Sequence, residues 1–322
     1  MKTVIADKKI FLTGGLGFIG SNIIERLYAT NNIFVYDNGL RNALTLTEYG
    51  KSDRIEIIHG DILDYDELKA AIDRTNPDIV IHLAAIAGVS SYYKKPKETM
   101  EVNIVGTYHL LEAIKDKTID RYVDFSTSEI YGSHIWRAKE DGTTMQGDFK
   151  DQRWTYSISK LAAEKLSHTY HIQYGLPVVS IRPFNIYGPG QVGEGAIQIF
   201  CRNALNNEDI VITGDGIQIR AWCYISDMVD AVMLCLEDEK AIGNAFNIGN
   251  PLGTLTMYEL AKKIILMANS QSRIVFKPHF GVDVDLRVPD ITRAGSVLGF
   301  EPKVDMEEGL ALALQWYKRF SG

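Results

Sequence analysis

The stretch "TGGLGFIGS" (13–21) follows the apolar run "KIFLT" (9–13) and leads into the helical pattern "GSNIIERLYA" (20–29). Gly14, Gly17 and Gly20 recur at three-residue spacing through the turn, and Phe18 and Ile19 open the helix. A glycine-rich turn lets backbone approach a pyrophosphate closely. The helix behind it presents N–H groups and its positive dipole end to the anion. Glycines alone also serve ordinary tight turns; a strand before them and a helix after them select the dinucleotide reading.

Outward from this turn the same texture repeats. "IFVYD" (33–37), "IEIIHG" (55–60), "DIVIHLA" (78–84), "RYVDFS" (121–126) and "VVSIRP" (178–183) are short runs apolar on both faces. Helical patterns such as "TMEVNIVGTYHLLEAIK" (99–115) lie between them. Buried parallel strands read this way, and strands spaced by helices imply right-handed βαβ crossovers. Residues 1–184 are therefore read as an α/β domain, a doubly wound parallel sheet of Rossmann type. Past Arg182 the texture changes to the glycine-rich "NIYGPGQVGEGA" (185–196) and helical "IQIFCRNALN" (197–206). Residues 185–322 are expected to form a smaller substrate-binding region interleaved with the first, "NAFNIGN" (244–250) returning a strand to the sheet. Ligands bind at the carboxyl ends of strands in such sheets.

Composition narrows the function classes. The 322 residues are 46% hydrophobic and 23% charged, with a net charge of −7. Positive groups such as Lys94, Lys95 and Lys97 come in short mixed runs, so a nucleic-acid partner is disfavoured. Cys201, Cys223 and Cys235 are too few and too irregularly placed for a disulfide framework or a thiolate metal site, and read as small packing residues. No run approaches the ~18 apolar residues of a membrane span. The expectation is a cytoplasmic protein with neither membrane, nucleic-acid nor metal partner.

Asp37 closes the second strand, where a carboxylate accepts hydrogen bonds from the adenosine ribose and repels a 2′-phosphate. NAD is thus favoured over NADP, although Arg41 stands near and Asp37–Asn38–Gly39 also suits a plain turn. Asp61 and Ile62 in "HGDIL", and Leu83, Ala84 and Ala85 in "HLAA" (82–85), end the next two strands, where an adenine edge and the cofactor backbone rest. "RWTYSISK" (153–160) puts Tyr156 and Lys160 one helical turn apart on one face. An ammonium beside a phenol, with the cofactor's own charge, lowers the phenol pKa toward the range of a general base. Such a pair is common by chance; behind a dinucleotide fold it gains meaning.

In order, "TGGLGFIGS", Asp37, "HLAA", "FSTSEIYG" (125–132), "YSISK" (156–160) and "RPFNIYGPG" (182–190) resemble the motifs of extended short-chain dehydrogenases/reductases of the NAD-dependent epimerase/dehydratase family, which act on nucleotide sugars. The resemblance covers essentially the whole chain. It implies that Tyr156 deprotonates the hexose C4 hydroxyl, that bound NAD accepts the C4 hydride, and that Thr127 shares a hydrogen bond with the C4 oxygen. Family 4,6-dehydratases acting on thymidine-linked glucose usually carry Thr-Asp-Glu at 127–129. Thr127–Ser128–Glu129 is instead similar to UDP-glucuronate decarboxylases, and also to GDP-mannose and some N-acetylhexosamine 4,6-dehydratases.

"RWTYSISK", "RPFN" and "FNIGNP" resemble the decarboxylase branch most, in which Glu129 would act as an added acid or base after C4 oxidation. Its alternative is a carboxylate satisfied by a helix end or the cofactor ribose. The same resemblance places Arg220 and Arg287 at the diphosphate or sugar, Asn185 at the sugar or phosphate, Pro183 beside the nicotinamide, and Tyr92 more loosely at the sugar. Either arginine could instead pair on the surface with Asp215 or Asp285. Decarboxylation leads, followed by 4-epimerisation, 4,6-dehydration and a 4-dehydrogenase. A silent dinucleotide sensor is the reading from another class, and one that would not need Thr127, Tyr156 and Lys160 together. Relatives pair the helices near 99–115 and 155–174, so a homodimer is expected.

Overall fold

A computed structural model describes residues 4–47, 49–278 and 281–319. Its main sheet has seven strands, all paired in parallel, in the order Ala245–Ile248, Val178–Pro183, Arg121–Phe125, Ile79–His82, Lys9–Thr13, Asn32–Asp37, Ile55–His59. The chain winds outward from Lys9–Thr13 through Asn32–Asp37 to Ile55–His59, then returns to Ile79–His82 and winds the other way. That reversal opens a crevice at the carboxyl ends of the strands, where doubly wound sheets hold their ligands.

Successive side chains of one strand feed opposite faces. Ile10 and Leu12 pack with Ile23 and Val35 on one side of the sheet, while Phe11 packs with Val80 and Tyr122 on the other. Burial of each such side chain contributes about 1.5–3 kcal/mol, and two-sided burial explains the unbroken apolar runs. Ile79–His82 and Arg121–Phe125 are buried throughout. Ile55–His59 departs from the sequence reading: as the last strand of the sheet it leaves Glu56 and Ile57 exposed.

The helical run read over 99–115 is three pieces, Pro96–Met100, a π-helical turn Glu101–Val105, and Gly106–Ile114. Such widened turns concentrate at functional sites; here it buries Asn103. A second sheet, in the order Thr254–Thr256, Ile219–Ala221, Leu286–Pro289, His134–Ala138, draws its strands from both halves of the chain. No helix among the described residues is long and apolar enough to cross a membrane. Cys201, Cys223 and Cys235 are unpaired and buried.

Candidate active site

The strand ends line an open cleft of about 880 Å³. At its floor Gly14 has φ +69°, and a Cβ there would stand 2.5 Å from the Ala84 nitrogen. A Cβ on Gly20 would stand 2.6 Å from the Gly15 oxygen, so the helix Phe18–Leu27 can seat on the turn only with glycine there. No side chain caps the first N–H groups of this helix, whose N-cap is Gly17. They are left for an anion.

Asp37 accepts the N–H of Leu16 at 3.1 Å and that of Gly39 at 2.8 Å. Burial raises its pKa against the pull of these two bonds. Phe18, Ile19, Asn38, Asp61, Ile62, Leu83, Ala84, Ala85 and Pro183 line the same cleft. The cradle, the uncapped helix end and the carboxylate fit a dinucleotide. Sequence reasoning missed the cleft's outer wall. Arg41 Nη2 donates to the Ala87 carbonyl at 2.8 Å, and Ser90 N–H donates to Glu194 at 3.0 Å, joining loops that follow three different elements.

At the inner end Tyr156 stands in the first turn of the helix Thr155–Tyr174. Thr127 accepts the Glu129 N–H at 3.2 Å and hydrogen-bonds the Tyr156 phenol. Burial, then the charge of Glu129, push that phenol up to about 12, with Thr127 pulling the other way. Lys160 lines the cleft and is 2% exposed, but its charge acts on His82 and Asp124. Burial lowers the pKa of Lys160 itself, opposed by Asp124 and Glu164. Asn103, also missed, ties this helix to the cleft: its amide donates to Ser159 Oγ at 2.9 Å and to the Ile86 carbonyl at 3.2 Å, and accepts the Ile86 N–H at 2.9 Å. The available signal was an asparagine inside the apolar helical run "EVNIVG".

Beside Tyr156 lies a buried ionic cluster. Glu129 Oε1 is 2.6 Å from Arg287 Nη1, and its Oε2 is 2.6 Å from Arg153 Nη1. Arg153 also donates to the Tyr92 hydroxyl at 2.9 Å, and the Tyr92 ring stacks on Tyr156 at 6.4 Å. Arg287 Nη2 donates to the Gly132 carbonyl at 3.2 Å, and Arg220 pairs with Asp283 at 3.3 Å. Both predicted arginines are thus held inside rather than paired on the surface with Asp215 or Asp285. Burial opposes the charge of Glu129, but Arg287 and Arg153 outweigh it and hold the carboxyl well below the usual carboxylate range.

A general acid or base must titrate near the working pH. In this structure Glu129 is a carboxylate held between two arginines. Ser128 is buried in the turn Ser128–Tyr131, away from the cleft lining. Asn185, at φ +41°, donates to the Ala221 carbonyl at 3.0 Å and is likewise outside the cleft lining. Arg153 was missed as a site residue, although it stands three positions before the tyrosine.

Residues 10–249 match the model of the NAD dependent epimerase/dehydratase family, and the chain belongs to that family. It is accordingly an NAD-dependent enzyme of the extended short-chain dehydrogenase/reductase class. The chain is 35% identical over 322 residues to the UDP-N-acetyl-alpha-D-glucosaminuronate decarboxylase of Bacillus cytotoxicus, covering 97% of this chain and 98% of that protein. It is 32% identical over 317 residues to UDP-glucuronic acid decarboxylase 4 of Arabidopsis thaliana, covering 97% of this chain and 69% of the relative. Among solved structures it resembles the UDP-glucuronic acid 4-epimerase from Bacillus cereus in complex with UDP-glucuronic acid and NAD, with a TM-score of 0.87 and 28% identity over 97% of this chain and 99% of that one.

Proposed function

We propose that the chain decarboxylates a UDP-linked hexuronate. One observation carries this reading: Arg153, Arg220 and Arg287 set three positive charges against the carboxylates of Glu129 and Asp283, next to Tyr156. The surplus positive charge is buried, and Arg287 Nε has no hydrogen-bond partner among the described residues. A carboxylate on the substrate satisfies both demands. The names of the relatives point the same way.

NAD, held by the Gly14–Gly20 turn and Asp37, would supply a hydride acceptor and donor at C4. The chain's own residues do the rest. Tyr156 takes the C4 hydroxyl proton, with Thr127 bonded to the same phenol. The resulting 4-keto acid has its carbonyl β to the carboxylate, so the C5–C6 bond can break with its electrons passing into the carbonyl. Arg153 and Arg287, braced by Glu129, orient that carboxylate. Tyr92 fixes both Arg153 and the ring of Tyr156.

Likeness to the hexuronate 4-epimerase supports a second reading, in which the same keto sugar turns over and is reduced from its other face. Incubation with UDP-glucuronate and UDP-N-acetylglucosaminuronate, with products resolved by mass, decides between them. Loss of carbon dioxide is expected; an unchanged mass at a new retention time would establish the epimerase, and loss of water a dehydratase.

The enzyme is further read as a cytoplasmic C2 homodimer. Val105, Tyr108, Ile172 and Tyr174 are apolar or aromatic residues exposed on the two long helical segments, and the cysteines are all unpaired. Light scattering should return twice the chain mass; a monomer at micromolar concentration would refute the dimer.

A further inference from the structure

The loop 188–195 runs between the strand Ile186–Tyr187 and the helix Ala196–Leu205, and its residues Gln191, Val192, Glu194 and Gly195 line the same cleft as the glycine turn. At Gly190 it lies beside the helix that follows that turn, a Cβ there standing 3.9 Å from Asn22 Nδ2. Four residues on it reaches Ser90. Glu194 accepts the Ser90 N–H at 3.0 Å on one carboxylate oxygen and the Ser90 hydroxyl on the other. Arg41, from the loop after Asn32–Asp37, packs against both segments. A Cβ on Gly193 would stand 3.3 Å from Arg41 Cζ, and one on Gly88 would stand 3.3 Å from Arg41 Nη2 and 3.1 Å from Glu194 Oε2. The three loops thus lie on one another with no room for a side chain at either crossing.

Glu194 is an unexpected lining residue for a cleft that takes a dinucleotide and, on the proposed function, a sugar nucleotide. Each carries a diphosphate, and a carboxylate free to face it would repel both. Both oxygens of Glu194 are instead engaged by Ser90, so the side chain serves the contact between loops. Glu194 is exposed, and hydrogen bonds at the surface add little to global stability and open at low cost. Such bonds suit a segment that opens and recloses around a ligand. The chemistry gives the closing a purpose: hydride removed from C4 has to return to the same sugar, so the cofactor has to stay in place between the two transfers.

We propose that the Glu194–Ser90 contact is a latch that holds the loop 188–195 closed against Arg41 and so retains NAD through the catalytic cycle, Glu194 being a positioning residue of the cofactor site. The proposal rests on the reading above, in which C4 is oxidised and reduced again within one turnover. Arg41 supplies the surface on which the loop closes, and its own hydrogen bond to the Ala87 carbonyl fixes that surface to the segment that carries Ser90.

The test follows exchange of NAD in the full chain with no sugar present. Holoenzyme is diluted into excess isotope-labelled NAD, desalted at intervals and denatured, and the unlabelled NAD still held is counted by mass. Glu194→Ala and Ser90→Ala should each shorten retention about tenfold, the worth of a hydrogen bond to a charged acceptor. The double variant should lose no more than the faster single one, because both changes break the same contact. Glu194→Gln, which keeps an acceptor for Ser90, should fall between. Every variant should still fill completely at saturating NAD; incomplete filling would mark a contact that merely supports the fold and would overturn the latch. Retention in Glu194→Ala equal to wild type overturns it too, as do two effects that multiply in the double variant, or a raised KM for the sugar nucleotide with NAD exchange unaltered. Because no sugar takes part, an epimerase or dehydratase outcome leaves the exchange test intact.

Discussion

Arg287 Nη1 lies 2.6 Å from Glu129 Oε1, a contact between residues 158 positions apart in the chain. It joins the turn after Arg121–Phe125 to the strand Leu286–Pro289, and so links the main sheet to the second sheet. With Arg153 on its other oxygen, Glu129 acts as the brace of the proposed substrate site.

Glu129→Gln removes the carboxylate charge shared by these two buried arginines. Breaking a buried pair from one side costs about 3–5 kcal/mol, which denaturant unfolding should register. A depressed carboxyl pKa contributes stability that is present above the unfolded-state value and is lost only as pH falls through the folded value. The glutamine variant should thus be weaker than wild type across the neutral range, the two converging in strong acid. Its turnover should fall without losing a limb of the pH–rate profile; disappearance of a limb near neutral pH would return Glu129 to proton transfer.

Tyr156→Phe removes the hydroxyl that takes the C4 proton, and turnover should fall by about 10²–10⁴. Substrate-dependent reduction of bound NAD should vanish with it. Thr127→Ala, which deletes one hydrogen bond to the phenol, should fall less. Unaltered NAD reduction in the phenylalanine variant would remove Tyr156 from the chemistry.

Gly14→Ala sets a Cβ 2.5 Å from the Ala84 nitrogen at a backbone conformation with φ +69°. The turn must shift, so the purified variant should carry less NAD and melt lower than wild type. NAD quantified after denaturation reads the first effect; undiminished content would mean that the turn does not form the cofactor floor.

Burial pushes the Asp124 carboxyl up to about 6. A raised carboxyl pKa favours the protonated folded state, so the advantage is full below the unfolded value near 3.9 and is lost as pH rises through about 6. Wild type should therefore lose on the order of 2–3 kcal/mol relative to Asp124→Asn between those limits. Chemical denaturation at a series of pH values checks it, and parallel curves for the two proteins would refute the buried ionisation.

The cofactor half of the site was legible because it is made of backbone. Gly14 and Gly20 are demanded by local geometry, and Asp37 ends its strand while Leu83 and Asp61 stand one and two residues past theirs, so each could be placed once its strand had been recognised. Tyr156 and Lys160 were readable for the same reason, since the pitch of one helix relates them. The edge exposure of Ile55–His59 and the π-helical turn at Glu101–Val105 were not, since each depends on what packs alongside.

What the sequence by itself determined is therefore the doubly wound sheet and the dinucleotide turn, features encoded by short-range periodicity and by residues that few conformations accept. Tertiary structure alone decided the electrostatics. Glu129 reads as an added acid or base until Arg153 and Arg287 arrive from distant elements. Charge interactions act through space in a medium whose polarity is fixed by burial, and which charged groups meet inside it is not written in the order of the residues.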